Sequence, residues 1–170
     1  CLRILFEEGA GVGSGLTDEE YAREGAEVVE SKRTVYARSD MIVKVKEPLD
    51  TELSLLQEGQ ILFTYLHLAS SEKLTSGLVK KKVTAVAYET MEDMFGRLPL
   101  LIPMSEVAGR ISVQIAMRFL EADHGGRGVL LSGVPGVPPA DVVIIGCGVV
   151  GINAARIAAG LGAHVTAIDI

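Results

Sequence analysis

Apolar residues along this chain fall into short runs that switch between a period of two and a helical period, with glycine-rich or polar stretches between them. Arg3 to Glu7 reads as a strand, followed by the glycine loop EGAGVGSG. Thr17 then opens a helix as a capping box with Glu20, acids fill its first turn, and Gly25 ends it. Ala26 to Val29 predicts a short strand and Val35 to Ser39 part of a helix. Met41 to Lys46 alternates with a period of two and is closed by Glu47-Pro48. The alternation sets Met41, Val43 and Val45 on one face and Ile42, Lys44 and Lys46 on the other. Thr51 to Gln57 predicts a helix, Glu58-Gly59-Gln60 a turn, and Ile61 to Leu66 a buried strand ended by His67. A helix from Ser71 to about Lys80 leads to a strand at Val83 to Tyr88, ended by Glu89.

Arg97 to Pro103, with two prolines, reads as a loop, after which Ser105 is expected to cap a long helix running to about Asp123. His124 to Ala140 is rich in glycine and proline. Mostly apolar strands separated by short helices predict parallel βαβ units with helices on both faces. The expected architecture is therefore α/β: two Rossmann-like domains with mainly parallel sheets. The first covers residues 1–103, a connecting helix covers 104–124, and 125–170 begin a dinucleotide-binding domain whose sheet is truncated. Both ends read as cut, so a longer parent protein is expected.

That last segment is the most specific. Asp141 to Asp169 gives a buried strand, a glycine turn at Gly146, Gly148 and Gly151, an alanine-rich helix to about Leu161, a second strand from His164 to Ile168, and a terminal acid. The first glycine lets the chain turn, the second lets backbone approach a pyrophosphate, and the third lets helix and strand pack closely. The N–H groups at the helix start face an anion. Asp169 stands 18 residues after Gly151, where a carboxylate accepts from a ribose and repels a 2′-phosphate, which favours NAD over NADP.

Composition narrows the class. With 170 residues, 48% of them hydrophobic, the chain can bury a core, and its apolar runs are too short to span a membrane. A net charge of −6 argues against a general affinity for nucleic acid, which needs a basic surface. A cytoplasmic protein is expected. Cys1 and Cys147 form neither a disulfide framework nor a metal motif, and Cys147 reads as a small residue of the glycine turn.

Ligands of parallel sheets bind outside the carboxyl ends of the strands. The predicted strands put Lys46, His67 and Glu89 there. An imidazole, with an ordinary pKa of about 6.5, moves protons at neutral pH, so His67 is a candidate acid/base, with a satisfied strand-end histidine as the alternative. Lys46 is a candidate for holding a carboxylate or polarising a carbonyl, with Lys44 its competitor and a surface salt bridge the alternative for either. Glu89 reads as a structural strand-end acid, and His124 and His164 lie apart from this rim. Ser105 is either a phosphate contact or a plain helix cap.

The segments GAGVGSGLTDEEY, IVKVKEP, GQILFTYLHLA, AYET, LPLLIPMSEVAGR, GGRGVLLSGVPGV and VVIIGCGVVGINAARIAAGLGA resemble, in order, the alanine dehydrogenase family across nearly the whole chain. The resemblance implies reversible conversion of L-alanine to pyruvate and ammonia with NAD, in a cytoplasmic homohexamer. It makes His67 the acid/base and Lys46 the substrate contact. Ser105 becomes a cofactor-phosphate contact, and Gly146, Gly148, Val149, Gly151 and Asp169 hold the adenosine half. A substrate-carboxylate arginine upstream of Cys1 and a catalytic aspartate beyond Ile170 are implied but absent, so this chain alone is expected to be inactive. The nearest rival resemblance is to the NAD(H)-binding alpha subunit of proton-translocating nicotinamide nucleotide transhydrogenase, which binds no amino acid. Opine- or lysine-forming dehydrogenases resemble the chain less, and a binding module without catalysis is the alternative from another class.

Overall fold

The computed structural model describes residues 2–170, so Cys1 lies outside the described residues. The chain divides into two compact units after Met91. Among the described residues the ladders between strands are parallel, as the apolar strands predicted, and a single isolated bridge, Val134 with Val137, is antiparallel.

In the first unit, β1 (Leu5–Glu7) pairs with β2 (Glu27–Val29), and β3 (Met41–Val43), β4 (Ile61–Thr64) and β5 (Thr84–Ala87) form a three-stranded sheet in that order. Helices α1 (Asp18–Arg23), α2 (Lys32–Arg38), α3 (Asp50–Leu53) and α4 (Glu72–Lys81) connect them. Local chemistry sets their starts. The expected capping box closes α1: Glu20 N–H donates to Thr17 Oγ1 at 3.3 Å and Thr17 N–H to Glu20 Oε2 at 2.7 Å. Ser31 caps α2 by accepting from Arg33 N–H, and Ser71 caps α4 by accepting from Leu74 N–H.

Leu62, on the central strand, has no exposed surface and packs with Tyr36, Ile42, Leu56, Leu66, Leu74 and Leu78. Removing such a buried leucine side chain costs about 2–5 kcal/mol, so this cluster anchors the sheet that carries the candidate site. Gln60, also buried, satisfies its amide by donating to the carbonyls of Tyr36 at 2.9 Å and Ser39 at 2.6 Å.

The second unit contains α5 (Ile102–Leu120), β6 (Asp141–Ile145), α6 (Val149–Gly160) and β7 (His164–Ile168). β6 and β7 pair along their whole length. Their inner face packs with Val113 of α5, Leu131, and Ala154 and Ala158 of α6. The helix expected to connect two domains packs along α6 inside this unit. It also starts earlier than Ser105, because Pro103 sits in its first turn, where a missing N–H breaks no helical bond. It ends at Leu120 instead of near Asp123, and a single 3₁₀ turn, Ala122–His124, follows. Among the described residues no helix is long and apolar enough to cross a membrane.

Candidate active site

β3, β4 and β5 run parallel, so the residues following them share one end of the sheet, and Lys46, His67 and Glu89 are all there. The strand expected to run to Lys46 is regular only to Val43. Its ladder carries Ile61 N–H to the Asp40 carbonyl and Lys44 N–H to the Phe63 carbonyl. An even ladder would next bring Tyr65 N–H to Lys44, yet Tyr65 donates to the Val45 carbonyl at 3.2 Å. One residue is therefore extra on this side, a slip of the bulge kind that re-aims side chains beside sites.

The two lysines consequently part company. Lys44, half-buried, donates to Glu52 Oε2 at 2.5 Å. Glu52 is itself 8% exposed, accepts from Leu49 N–H at 2.8 Å and has Lys32 Nζ at 3.6 Å. Burial pushes its carboxyl up, but the Lys44 bond, the Leu49 N–H and both lysine charges outweigh that and hold it below the ordinary carboxylate range. Lys46 is exposed, and its ammonium makes no ion pair among the described residues. Its carbonyl is held by Thr64 Oγ1 at 2.9 Å.

The chain leaves β4 through buried Tyr65 and Leu66 and turns at His67, whose φ of 48° and ψ of 40° are left-handed. Side chains crowd the backbone in that region, although histidine visits it more than most residues. The ring is exposed and lies nearly parallel to Tyr65, with centroids 6.2 Å apart. Tyr65 in turn meets Tyr88 edge-on at 4.9 Å, and Tyr88 meets Phe63 at 4.4 Å, so aromatic packing backs the turn.

Glu89, half-buried, reaches back to this turn. Its Oε1 accepts from His67 N–H at 2.7 Å and from Leu66 N–H at 3.1 Å, and its Oε2 lies 3.2 Å from Leu66 N. Burial raises its carboxyl, but its own N–H, those of His67 and Leu66, and the charge of His67 lower it further, leaving it below its ordinary value. Sequence reasoning missed this contact. The available signal was an acid following the strand next to the one that carries the histidine.

A cavity of about 560 Å³ also lies in this unit, lined by β1, β3, Tyr36, Lys44 and Glu52. Neither Lys46 nor His67 lines it. It surrounds the ion pair and reaches the strand ends at Val45 and Tyr88. Burial there, helped by the charges of Glu52 and Glu7, pushes the Tyr36 hydroxyl above its ordinary value.

In the second unit the glycine turn follows its expected geometry. Gly146 has φ 94°, Gly148 is the N-cap of α6, and Val149 is its first residue. A Cβ on Gly151 would stand 1.8 Å from the Gly146 carbonyl oxygen, so only glycine fits there. A Cβ on Gly148 would meet nothing within 4 Å, which leaves open space beside the helix start. The first N–H groups of α6 have no acceptor within the helix, and the turn thus offers an anion both donors and room. Asp169 closes over the turn, accepting from Cys147 N–H with one carboxylate oxygen and from Ile170 N–H at 2.7 Å with the other. Those two bonds hold its carboxyl below the ordinary range.

Ser105 is not a cap. The helix N-cap is Leu101, and Ser105 N–H donates to the Leu101 carbonyl at 3.1 Å. It lies one turn before Gly109, where a Cβ would stand 2.3 Å from the Val150 carbonyl oxygen. Residues four apart share a helix face, so Ser105 is on the face of α5 that meets the first turn of α6.

Parallel ladders, helices between them and the glycine turn define an α/β protein of Rossmann type. Residues 2–108 match the model of the alanine dehydrogenase/PNT N-terminal domain, and residues 112–170 match that of the C-terminal domain. The chain belongs to the alanine dehydrogenase/PNT family. It is 55% identical over 168 residues to an alanine dehydrogenase of Methanococcus maripaludis, and 52% identical over 167 residues to one of Mycobacterium tuberculosis. Those alignments take in 99% and 98% of this chain but 45% of each relative, so the chain spans just under half the length of the curated relatives it matches. A solved L-alanine dehydrogenase superposes with a TM-score of 0.90 at 54% identity, covering 99% of this chain and 46% of that one. A transhydrogenase from Sinorhizobium meliloti is more distant, with a TM-score of 0.75 at 27% identity over 99% of this chain and 48% of its own.

Proposed function

We propose that the complete protein is an NAD-dependent alanine dehydrogenase, interconverting L-alanine with pyruvate and ammonia. The observation that carries this reading is that one chain, matching alanine dehydrogenases over 98–99% of its length, combines a Lys46 ammonium with no ion pair among the described residues and a fixed histidine at His67 on neighbouring strand ends. NAD, when bound, supplies the hydride acceptor. Gly146, Gly148, Val149 and Gly151 hold its pyrophosphate at the start of α6, Asp169 takes the adenosine ribose, and Ser105 bonds a phosphate.

Lys46 holds the substrate carboxylate or carbonyl oxygen, where its charge stabilises negative charge that grows during reaction. Alanine loses a hydride from Cα and a proton from nitrogen to give an imino acid. Water adds to that imine, and ammonia leaves as the carbonyl forms. His67 takes the proton from the attacking water and returns one to the departing nitrogen, a role suited to an imidazole near neutral pH.

Replacing His67 by Ala in the complete enzyme is expected to lower turnover by about 10²–10⁴-fold while NAD still binds, as titration of NAD against both forms will read. Turnover equal to wild type overturns the assignment. A cytoplasmic homohexamer completes the proposal, resting on the same family resemblance. The second reading, an NAD(H)-binding transhydrogenase alpha subunit, draws on the 27% likeness and takes no amino acid. Alanine-dependent NAD reduction, against hydride exchange between two nucleotides, separates the two.

A further inference from the structure

We propose that Glu89 is a positioning residue: its carboxylate, by accepting the Leu66 and His67 N–H groups, locks the left-handed turn that presents the His67 imidazole. This inference rests on the assignment of His67 as acid/base. The regular part of β4 ends at Thr64, so His67 N–H has no strand partner among the described residues, and the carboxylate is its acceptor. The opposite side of the same residue is also pinned, since its carbonyl accepts from Ser70 N–H at 2.9 Å and from Ser70 Oγ at 2.7 Å. With both peptide groups held, the ring of an exposed, left-handed residue has one backbone orientation from which to act. Two successive N–H groups converging on one oxygen form an anion cradle, and here the anion is supplied from the end of the next strand.

The geometry also distinguishes substitutions. Oε1 alone receives the His67 bond. Glutamine, which keeps one accepting oxygen, retains that bond, whereas alanine removes it.

The test has two arms. In the 170-residue chain, labelled for amide NMR, E89A is expected to shift the Leu66 and His67 amide resonances strongly and E89Q to shift that of His67 much less. In the complete enzyme, E89A is expected to lower kcat by about 10²-fold, the effect of roughly an ångström's misplacement of a reacting group, with KM for NAD unchanged. E89Q is expected to restore most of that loss. Wild-type kcat in E89A, unmoved amides in E89A, or an E89Q enzyme no better than E89A each overturns the proposal. His67→Ala is measured alongside. If that variant stays active, the acid/base assignment falls; if it is inactive while E89A turns over normally, only the positioning role falls.

Discussion

Around Lys44 and Glu52 the first unit works with charges held off water, whereas between Gly146 and Gly151 the second works with side chains left out. In the first, a residue's meaning depends on its partner: Lys44 is neutralised by Glu52, and Lys46, two positions on, is not. In the second, meaning depends on space. Gly151 is required because another backbone atom already occupies the position of its Cβ, and Gly148 keeps its surroundings open. One kind of site is altered by changing charge and the other by adding a single carbon.

The sharpest way to break this contrast is Gly151→Ala. The added carbon meets backbone and not a flexible side chain, so the cost is expected at the upper end of overpacking, about 3 kcal/mol or more, with loss of NAD binding. Denaturant unfolding and nucleotide titration check it, and an unchanged midpoint would break the spatial half of the comparison.

A smaller effect separates the two lysines. Lys44→Met leaves the Glu52 carboxylate short of its main partner and is expected to cost about 1–3 kcal/mol. Lys46→Met, at an exposed position with no ion pair among the described residues, is expected to stay within about 0.5 kcal/mol in stability while abolishing alanine turnover in the complete enzyme. Thermal melts of the two variants side by side decide this; equal destabilisation would mean that the ion pair is not what distinguishes them.

The smallest effect is in pH. The folded Glu52 carboxyl lies below its unfolded value of about 4.3, so its stabilisation is complete above that value and is lost as pH falls through the folded one. Wild type should therefore exceed Glu52→Gln in stability at neutral pH, and the gap should close on acidification. Melts between neutral and acid pH measure it, and a gap that widens toward acid would reverse the sign.

The sequence carried the parallel strands, the α1 capping box and the entire glycine turn, because each is written within a few neighbouring residues. It misled where a local rule has a positional exception. Pro103 reads as a helix breaker and proved to be a first-turn residue, which moved the start of α5 ahead of Ser105 and removed that serine as a cap. It was silent where a bond spans distance in the chain. Glu89 reaches His67 across 22 positions and Lys44 reaches Glu52 through a turn, and no periodicity encodes either. The alternation through Lys46 failed for a third reason, since a ladder slip depends on the neighbouring strand as well as on the strand itself.

That slip between β3 and β4 makes the length of the Lys44 to Pro48 segment part of the site. A surface loop tolerates a residue gained or lost, but here a deletion would restore the even ladder at Tyr65 and turn the following side chain to the opposite face. Chemically mild substitutions in this stretch are therefore expected to be better tolerated than any change in residue count, although the chain there has the look of an ordinary strand end.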